Sequence, residues 1–204
     1  MNPTALPPAP TLDIDRFGHP RYLIRRQVFR LFGEGFHVYD PHGRIAFFCR
    51  LKPFRLREDI RVWTDETEKT EVLAIRARNV LDVVGVYDVL DPATGQRLGV
   101  LRRAALRSMV RDEWILFDAD EREIGRIQED SLALALLRRL LSNLIPQTFH
   151  GRVGSRIVCE YRQRFNPFIR KLEVDFGPDP GRTFDRRLGL AAGLLLTAIE
   201  GRQG

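Results

Sequence analysis

Short runs in which apolar and polar residues alternate, separated by turn residues, dominate the chain from Tyr22 onward. Alternation with a period of two places one side of a strand in a core and the other side in water. Between residues 156 and 164, for example, Ile157, Cys159 and Tyr161 share one side, and most of the charged residues share the other. The same pattern predicts further strands at Tyr22–Leu31, Arg55–Thr64, Glu71–Arg78, Ala105–Val110 and Phe168–Phe176.

Three hairpins of one design repeat along the chain. In each hairpin an apolar strand ends at an aspartate, which is Asp40, Asp91 or Asp118, and a second alternating strand follows within a few residues. An aspartate carboxylate can accept a hydrogen bond from the backbone two residues later and so start a turn. Consecutive hairpins of this kind favour an antiparallel meander or barrel over a parallel α/β sheet.

Two segments have helical spacing instead. Ser131 is a candidate N-cap for Leu132–Ile145, whose apolar residues cover a little over half of the helix circumference. A second helix is predicted to start after Asp185 and to run from Arg186 to about Glu200. Its middle is apolar on every side, and a helix without a polar face must be surrounded by other elements. The residues expected to be buried in this way are Leu188, Leu190, Leu194, Leu195 and Ile199.

The strands and this apolar helix can be buried together in one architecture. We predict a mostly β (α+β) fold, a closed antiparallel barrel of about twelve strands around a hydrophobic C-terminal helix. A closed barrel has no exposed strand edges, and one of this size is too wide for its own side chains to fill. Gly189 and Gly193 are expected to let strand side chains approach the helix. Residues 1–19, which are rich in proline, are predicted to be a disordered tail, and residues 20–204 a single domain.

The longest apolar stretch, Leu188–Ile199, is too short to cross a bilayer as a helix. Its 12 residues span roughly 18 Å at ~1.5 Å per residue, whereas the hydrocarbon core is ~30 Å thick. The N-terminus has no basic segment followed by an apolar run, so a secretory signal is not expected. These features predict an intracellular chain, located in the cytoplasm or peripherally at a membrane.

The charge balance indicates attraction to anionic surfaces. The net charge is +6 and the pI is near 9.9. Lysine occurs only at positions 52, 69 and 171, so 30 of the 33 basic residues are arginines. Because the arginines are spread along the chain and interleaved with acids, they predict a solvated surface rather than a footprint for nucleic acid.

No pattern of residues predicts a catalytic group, a metal site or a cofactor. Cys49 and Cys159 lie in alternating segments, which favours buried free thiols over the alternative of one disulfide bridge. His37 and His42 flank a hairpin turn and are expected to be exposed rather than to bind a metal. The glycine-rich residues 151–155 lack the lysine and the following helix of a phosphate-binding loop. We therefore expect a protein that is not an enzyme.

Three features together resemble a known group of proteins. The hairpin repeat, the segment Phe165–Leu172 and the ending Asp185–Ala192 are similar to the LURP-one-related and phospholipid scramblase-like family. The resemblance covers about residues 20–202. It implies the Tubby C-terminal-like fold, in which a twelve-stranded barrel is threaded by a hydrophobic C-terminal helix.

The resemblance also implies activities that are linked to lipids. Tubby proteins bind phosphoinositide headgroups through a basic pocket, and scramblases carry an acidic calcium-binding segment before the last helix. In this chain the spacing of the acidic residues in that region favours surface and helix-capping carboxylates over a calcium loop. These residues are Glu173, Asp175, Asp179 and Asp185.

The expected function is that of a non-enzymatic binding module for anionic phospholipid headgroups or for a membrane-linked partner. The alternative is a structural or protein-interaction scaffold with no lipid role, and a third hypothesis is phospholipid scrambling, which requires the terminal helix to leave the barrel. Leu136, Arg138 and Arg139, on the helix with the wide apolar face, are candidates for contact with a membrane or a protein partner. DNA binding is not expected, because the chain has neither a recognition helix nor a clustered basic strand.

Overall fold

The structure is a computed structural model that describes residues 14–29, 33–51, 59–78, 85–104, 113–129, 147–164 and 169–199. Within these residues the chain forms twelve β-strands, a short 3-10 turn at Ile14–Phe17 and one α-helix. In chain order they are β1 Arg21–Phe29, β2 Gly33–Tyr39, β3 Ile45–Leu51, β4 Asp59–Trp63, β5 Glu71–Ala77, β6 Val86–Leu90, β7 Arg97–Arg103, β8 Glu113–Phe117, β9 Glu123–Glu129, β10 Thr148–Val153, β11 Arg156–Arg164, β12 Lys171–Asp175 and α1 Arg186–Ile199.

The twelve strands form one closed barrel in which every pair of neighbours is antiparallel. Successive strands pair with each other, and β12 closes on β1 with Arg21 opposite Asp175 and Arg25 opposite Lys171. A closed ring leaves no unpaired strand edge. The predicted fold class, a closed antiparallel barrel of about twelve strands with a hydrophobic C-terminal helix, is confirmed.

The three aspartates that end apolar strands start turns in the predicted way. The carboxylate of Asp40 accepts hydrogen bonds from the backbone N–H groups of His42 and Arg44, each at 2.9 Å. Asp91 and Asp118 each accept the N–H group two residues later, again at 2.9 Å. These local bonds set the position of each hairpin without help from distant residues.

The helix α1 passes through the barrel and is buried on every side. Every residue from 188 to 198 is buried, and Ile199 is partly buried against the same core. The four leucines that we expected to be buried are no more than 2% exposed, and they are Leu188, Leu190, Leu194 and Leu195. Burial of each leucine contributes roughly 1.5–3 kcal/mol relative to exposure, so the helix and the barrel stabilise each other.

Glycines allow the closest contacts between α1 and the barrel wall. A Cβ atom at Gly193 would lie 3.0 Å from side-chain atoms of Ile24 on β1 and Val174 on β12. A Cβ atom at Gly99, on β7, would lie 3.1 Å from the side chain of Leu188. Since β7 lies on the far side of the ring from β1 and β12, α1 is in contact with opposite walls at once.

The strand β10, Thr148–Val153, is not among the strands that the alternating pattern predicts, and glycines lie in it and directly after it. Gly154 lies in the turn, with a φ of +58°, whereas Gly151 lies inside the strand. A Cβ atom at Gly151 would be only 2.3 Å from the sulfur of Cys159 on β11. A glycine within a strand often marks such a close approach, and here it makes room for the thiol.

Contacts with the barrel begin before residue 20. The ring of Phe17 lies 4.5 Å from the ring of Phe47, and Arg16 donates to the carbonyl oxygens of Ala46 and Thr64 at 3.2 Å. Residues 14–19, which we assigned to the proline-rich tail, therefore contact the barrel. The predicted helix Leu132–Ile145, with Leu136, Arg138 and Arg139, and the predicted strand Ala105–Val110 lie outside the described residues. In the part of the chain that the structure describes, no helix is long and apolar enough to cross a membrane.

Candidate anion-binding surface

Charged residues are distributed unevenly around the barrel. The neighbouring strands β10, β11, β12 and β1, with residues 169–170 before β12 and residues 176–187 after it, carry twelve basic and five acidic residues. The rest of the described chain carries twelve basic and sixteen acidic residues. We call the first region the basic arc. It is continuous only because β1 closes on β12, which brings the two ends of the chain together.

Four arginines of the basic arc lie near the end of the barrel at which α1 begins, and they have no carboxylate partner. Within the described residues, no carboxylate oxygen lies within 4.0 Å of a guanidinium nitrogen of Arg152, Arg156, Arg182 or Arg186. Arg182 donates instead to the carbonyl oxygen of Gly18 at 3.0 Å, and Arg156 to the hydroxyl of Thr183 at 3.5 Å. A hydrogen bond to a neutral group does not cancel the positive charge of a guanidinium, although the charge of Asp179 acts on Arg156 and Arg186 from a greater distance.

Arg186 is held firmly in the first turn of α1. Its Nη1 atom donates to the carbonyl oxygens of Gly18 at 2.5 Å and His19 at 3.0 Å, and its guanidinium carbon lies 5.5 Å from the centre of the Phe176 ring. Burial and the positive charge of Arg182 lower the pKa of Arg186. Because nearby like charges disfavour the charged form, an anion bound at this point would relieve the repulsion between the two arginines.

The turn that carries Arg182 is organised by a buried carboxylate. Asp179 is 5% exposed, and it accepts hydrogen bonds from the N–H group of Phe184 at 2.9 Å and from the hydroxyl of Thr183 at 2.8 Å. Burial by itself would raise the pKa of Asp179, but these hydrogen bonds outweigh it and lower the pKa. The arginines of the turn are therefore presented by a defined loop.

The other carboxylates near this turn are also engaged by the chain. Asp175 accepts the N–H group of Gly177 at 2.7 Å, Asp185 caps α1 by accepting the N–H group of Arg187 at 2.9 Å, and Glu173 forms an ion pair on the outer wall. Glu173 on the surface and Asp185 at the cap lie as predicted. The prediction is wrong for Asp175 and Asp179, which are buried at 8% and 5% exposure and bond to the turn after β12. Across the described ranges, no group of three or more histidine, cysteine, aspartate or glutamate residues is placed to hold a metal ion.

A second group of basic residues lies at the opposite end of β1 and β12. Arg25 pairs in register with Lys171, and the backbone N–H of Arg26 donates to the carbonyl oxygen of Arg170 at 3.0 Å. Burial and the positive charge of Arg26 lower the pKa of Arg170. The basic arc therefore runs along the full height of the barrel wall.

The two cysteines of the chain lie in the interior of the barrel. Both cysteines are free and buried, as predicted. Burial raises the pKa of Cys159 to about 12 and raises the pKa of Cys49 as well, so both remain neutral thiols near pH 7. The prediction that His37 is exposed is wrong, because Glu66 lies 2.5 Å from its Nε2 atom and the histidine is only 2% exposed.

Comparison with known proteins gives a likeness in fold. No family model matches the chain, and no curated protein matches it. A solved X-ray structure of a protein from Arabidopsis thaliana is similar, with 13% sequence identity and a TM-score of 0.51. The likeness covers 90% of this chain and 94% of the Arabidopsis chain, and it supports the barrel architecture described above.

Proposed function

We propose that this chain is a non-enzymatic module that binds anionic phospholipid surfaces through the basic arc, peripherally at a membrane facing the cytoplasm. The observation that carries the proposal is the set of four arginines without a carboxylate partner among the described residues, Arg152, Arg156, Arg182 and Arg186. None of the four forms an ion pair within the described chain, and Asp179 is the acid whose charge acts on Arg156 and Arg186, so a net positive charge remains to attract a negatively charged surface to this part of the barrel. The resemblance to the LURP-one-related and scramblase-like family supports the same class of ligand.

The expected binding is weak, reversible and sensitive to salt. A basic residue close to an anionic membrane contributes about 1 kcal/mol, so four arginines contribute about 4 kcal/mol. A free energy of that size corresponds to a dissociation constant of roughly 1 mM. Arg25 and Lys171, at the other end of the arc, add to the attraction if the barrel lies with this wall against the membrane. Salt weakens all of these contributions, because charges are screened over about 8 Å at physiological ionic strength.

Vesicle flotation tests the proposal. Wild-type protein is mixed with vesicles of phosphatidylcholine alone or of phosphatidylcholine with phosphatidylserine, over a series of salt concentrations. The test variant combines Arg152→Gln with Arg182→Gln and so removes two arginines without carboxylate partners. The control variant combines Arg61→Gln with Arg122→Gln, two arginines outside the arc whose ion pairs measure 3.1 Å and 3.5 Å. Both double variants change the net charge equally.

We expect wild type to float with phosphatidylserine vesicles at low salt and not with neutral vesicles. The double variant in the arc is expected to bind roughly 30-fold more weakly, since about 1 kcal/mol is lost for each of the two arginines. The control variant is expected to bind like wild type. An equal loss in both variants would contradict a site at the arc, and failure of wild type to float at low salt would favour the protein-interaction scaffold.

A further inference from the structure

A groove crosses the outer wall of the barrel on the side away from the basic arc. It has a volume of about 720 Å³ and is lined by Arg76, Asp88, Leu90, Gln96, Arg97 and Ala119. These residues come from β5, β6, β7 and the turns that follow β6 and β8. In a ring of twelve strands, β5 and β6 lie six places from β11 and β12, so the groove faces away from any surface on which the arc is docked.

One wall of the groove is fixed by a closed ring of four ion pairs. Arg78 lies 2.8 Å from Asp88 and 2.9 Å from Glu121, and Arg97 lies 2.7 Å from Glu121 and 3.6 Å from Asp88. Arg97 also donates to the carbonyl oxygen of Ala119 at 2.7 Å. The four charged residues come from four different segments, so the ring ties the strands and the hairpin turn into one rigid rim.

The backbone conformation of Glu121 is one that glycine favours, although its side chain is needed to close the ring of ion pairs. Its φ is +64°, in the left-handed region that L-residues rarely adopt, whereas the turns after β2 and β6 have Gly43 and Gly95 at φ values of +77° and +71°. Glycine is the residue that this conformation favours, yet the turn after β8 holds a glutamate whose carboxylate bonds to Arg78 and Arg97. The hydrogen bond from Arg78 also lowers the pKa of Glu121, so the carboxylate stays charged.

Arg76 is the one arginine of the groove outside this ring. It lies in register between Asp88 on β6 and Asp59 on β4. However, both oxygens of Asp88 are occupied by Arg78, at 2.9 Å and 2.8 Å, and Asp59 accepts from Arg61 at 3.1 Å. Arg76 is exposed and forms no hydrogen bond or ion pair within the described residues, although its charge acts on Glu71 of the same strand. Its planar guanidinium therefore presents a donor fork to the groove, beside the apolar side chains of Leu90 and Ala119.

We propose that this groove binds a peptide segment of a partner protein in which one carboxylate side chain stands next to an apolar side chain. The carboxylate pairs with the guanidinium of Arg76, a geometry that arginine favours, and the apolar side chain lies on Leu90 and Ala119. The described residues outside the arc include more acids than bases, which disfavours a long acidic run, and the single guanidinium of the groove without an ion pair matches a single carboxylate. The proposal does not depend on lipid binding.

Solution NMR of the full chain tests this assignment without any lipid. The probes are the peptide acetyl-Ala-Glu-Leu-Ala-Ala-amide and its analogue with glutamine in place of glutamate. They are titrated into wild type, into Arg76→Gln and into Arg122→Gln, whose arginine is also exposed but lies outside the groove. The signals followed are the side-chain Nε–Hε of Arg76 and the backbone amides of Leu90, Gln96 and Ala119.

We expect the glutamate peptide to shift these signals with a dissociation constant of roughly 1 mM. The glutamine peptide and the Arg76→Gln variant are each expected to bind about fivefold more weakly, because one ion pair is lost. Arg122→Gln is expected to bind like wild type. Equal binding of the two peptides, shifts located on the basic arc, or no shift at all would each overturn the assignment. None of these NMR results changes the expected outcome of vesicle flotation, so either proposal can be wrong without the other.

Discussion

On the basic arc, Arg152 and Arg182 have no carboxylate within 4.0 Å among the described residues, whereas across the barrel Arg78 and Arg97 are each held by two carboxylates. Both walls are rich in arginine, and they differ in what surrounds each guanidinium. A paired guanidinium stabilises the fold and has little charge to offer, while one without a carboxylate partner attracts an anion. The number of arginines on a surface therefore says less about ligand binding than their pairing does.

The largest expected loss of stability comes from a substitution that pushes the strands of the arc away from α1. In Gly193→Leu, a Cβ atom would lie 3.0 Å from side-chain atoms of Ile24 and Val174 on two strands of the arc, before the rest of the leucine is placed. Because the core is closely packed, we expect a loss of about 3 kcal/mol in the free energy of unfolding. Urea denaturation followed by circular dichroism measures it.

Gly181→Ala is the matched control within the same region. A Cβ atom at Gly181 meets only the methyl group of Thr183, at 3.7 Å, so the change is expected to stay within about 0.5 kcal/mol. If Gly193→Leu were as stable as wild type, α1 would not be enclosed by the arc as described.

A smaller loss is expected when the buried carboxylate that organises the arc is removed. Asp179→Asn replaces an acceptor of hydrogen bonds from Phe184 and Thr183 and is expected to cost about 2 kcal/mol at pH 7. The pKa of Asp179 is lower in the folded state than its ordinary value of 3.8, so the unfolded chain binds the proton more readily. Its contribution is therefore complete well above pH 4 and is lost as the pH falls through the folded-state pKa.

The measurement is the free energy of unfolding of both proteins from neutral pH down to acid pH values below 3.8, where a carboxylate with a depressed pKa takes up its proton. Wild type and Asp179→Asn should converge at the acid end. A difference that stayed constant across this range would mean that the loss comes from altered packing of the turn rather than from the charge of Asp179.

Whether the sequence predicts a structural feature depends on how far apart along the chain the interacting residues lie. The turns after Asp40, Asp91 and Asp118 and the cap at Asp185 rest on bonds between residues at most four positions apart, and the sequence predicts all of them. The burial of α1 follows from its apolar surface on every side. Each of these features depends on residues within one short segment of the chain.

The features that the sequence did not predict rest on distant pairs. Gly151 lies in a strand because Cys159 of the next strand fills the space beside it, and His37 is buried because Glu66 from another hairpin covers it. The basic arc exists because Arg21 and its strand close on Asp175, 154 positions later in the chain. Spacing along the chain cannot show that charged residues from the two ends share one wall.

The smallest expected effects compare the same substitution on the two walls. Arg78→Gln removes the guanidinium that bonds to Asp88 and Glu121, so we expect a loss of about 1 kcal/mol in the free energy of unfolding at low salt. The loss should shrink at high salt, because these side chains are partly exposed and their attraction is screened. Arg152→Gln removes an exposed guanidinium with no hydrogen bond or ion pair in the described chain, and its stability should stay within about 0.3 kcal/mol of wild type at every salt concentration. Urea denaturation of the three proteins at low and high salt measures both effects, and a salt-dependent loss in Arg152→Gln would show that this arginine is paired in solution and unavailable to an anionic surface.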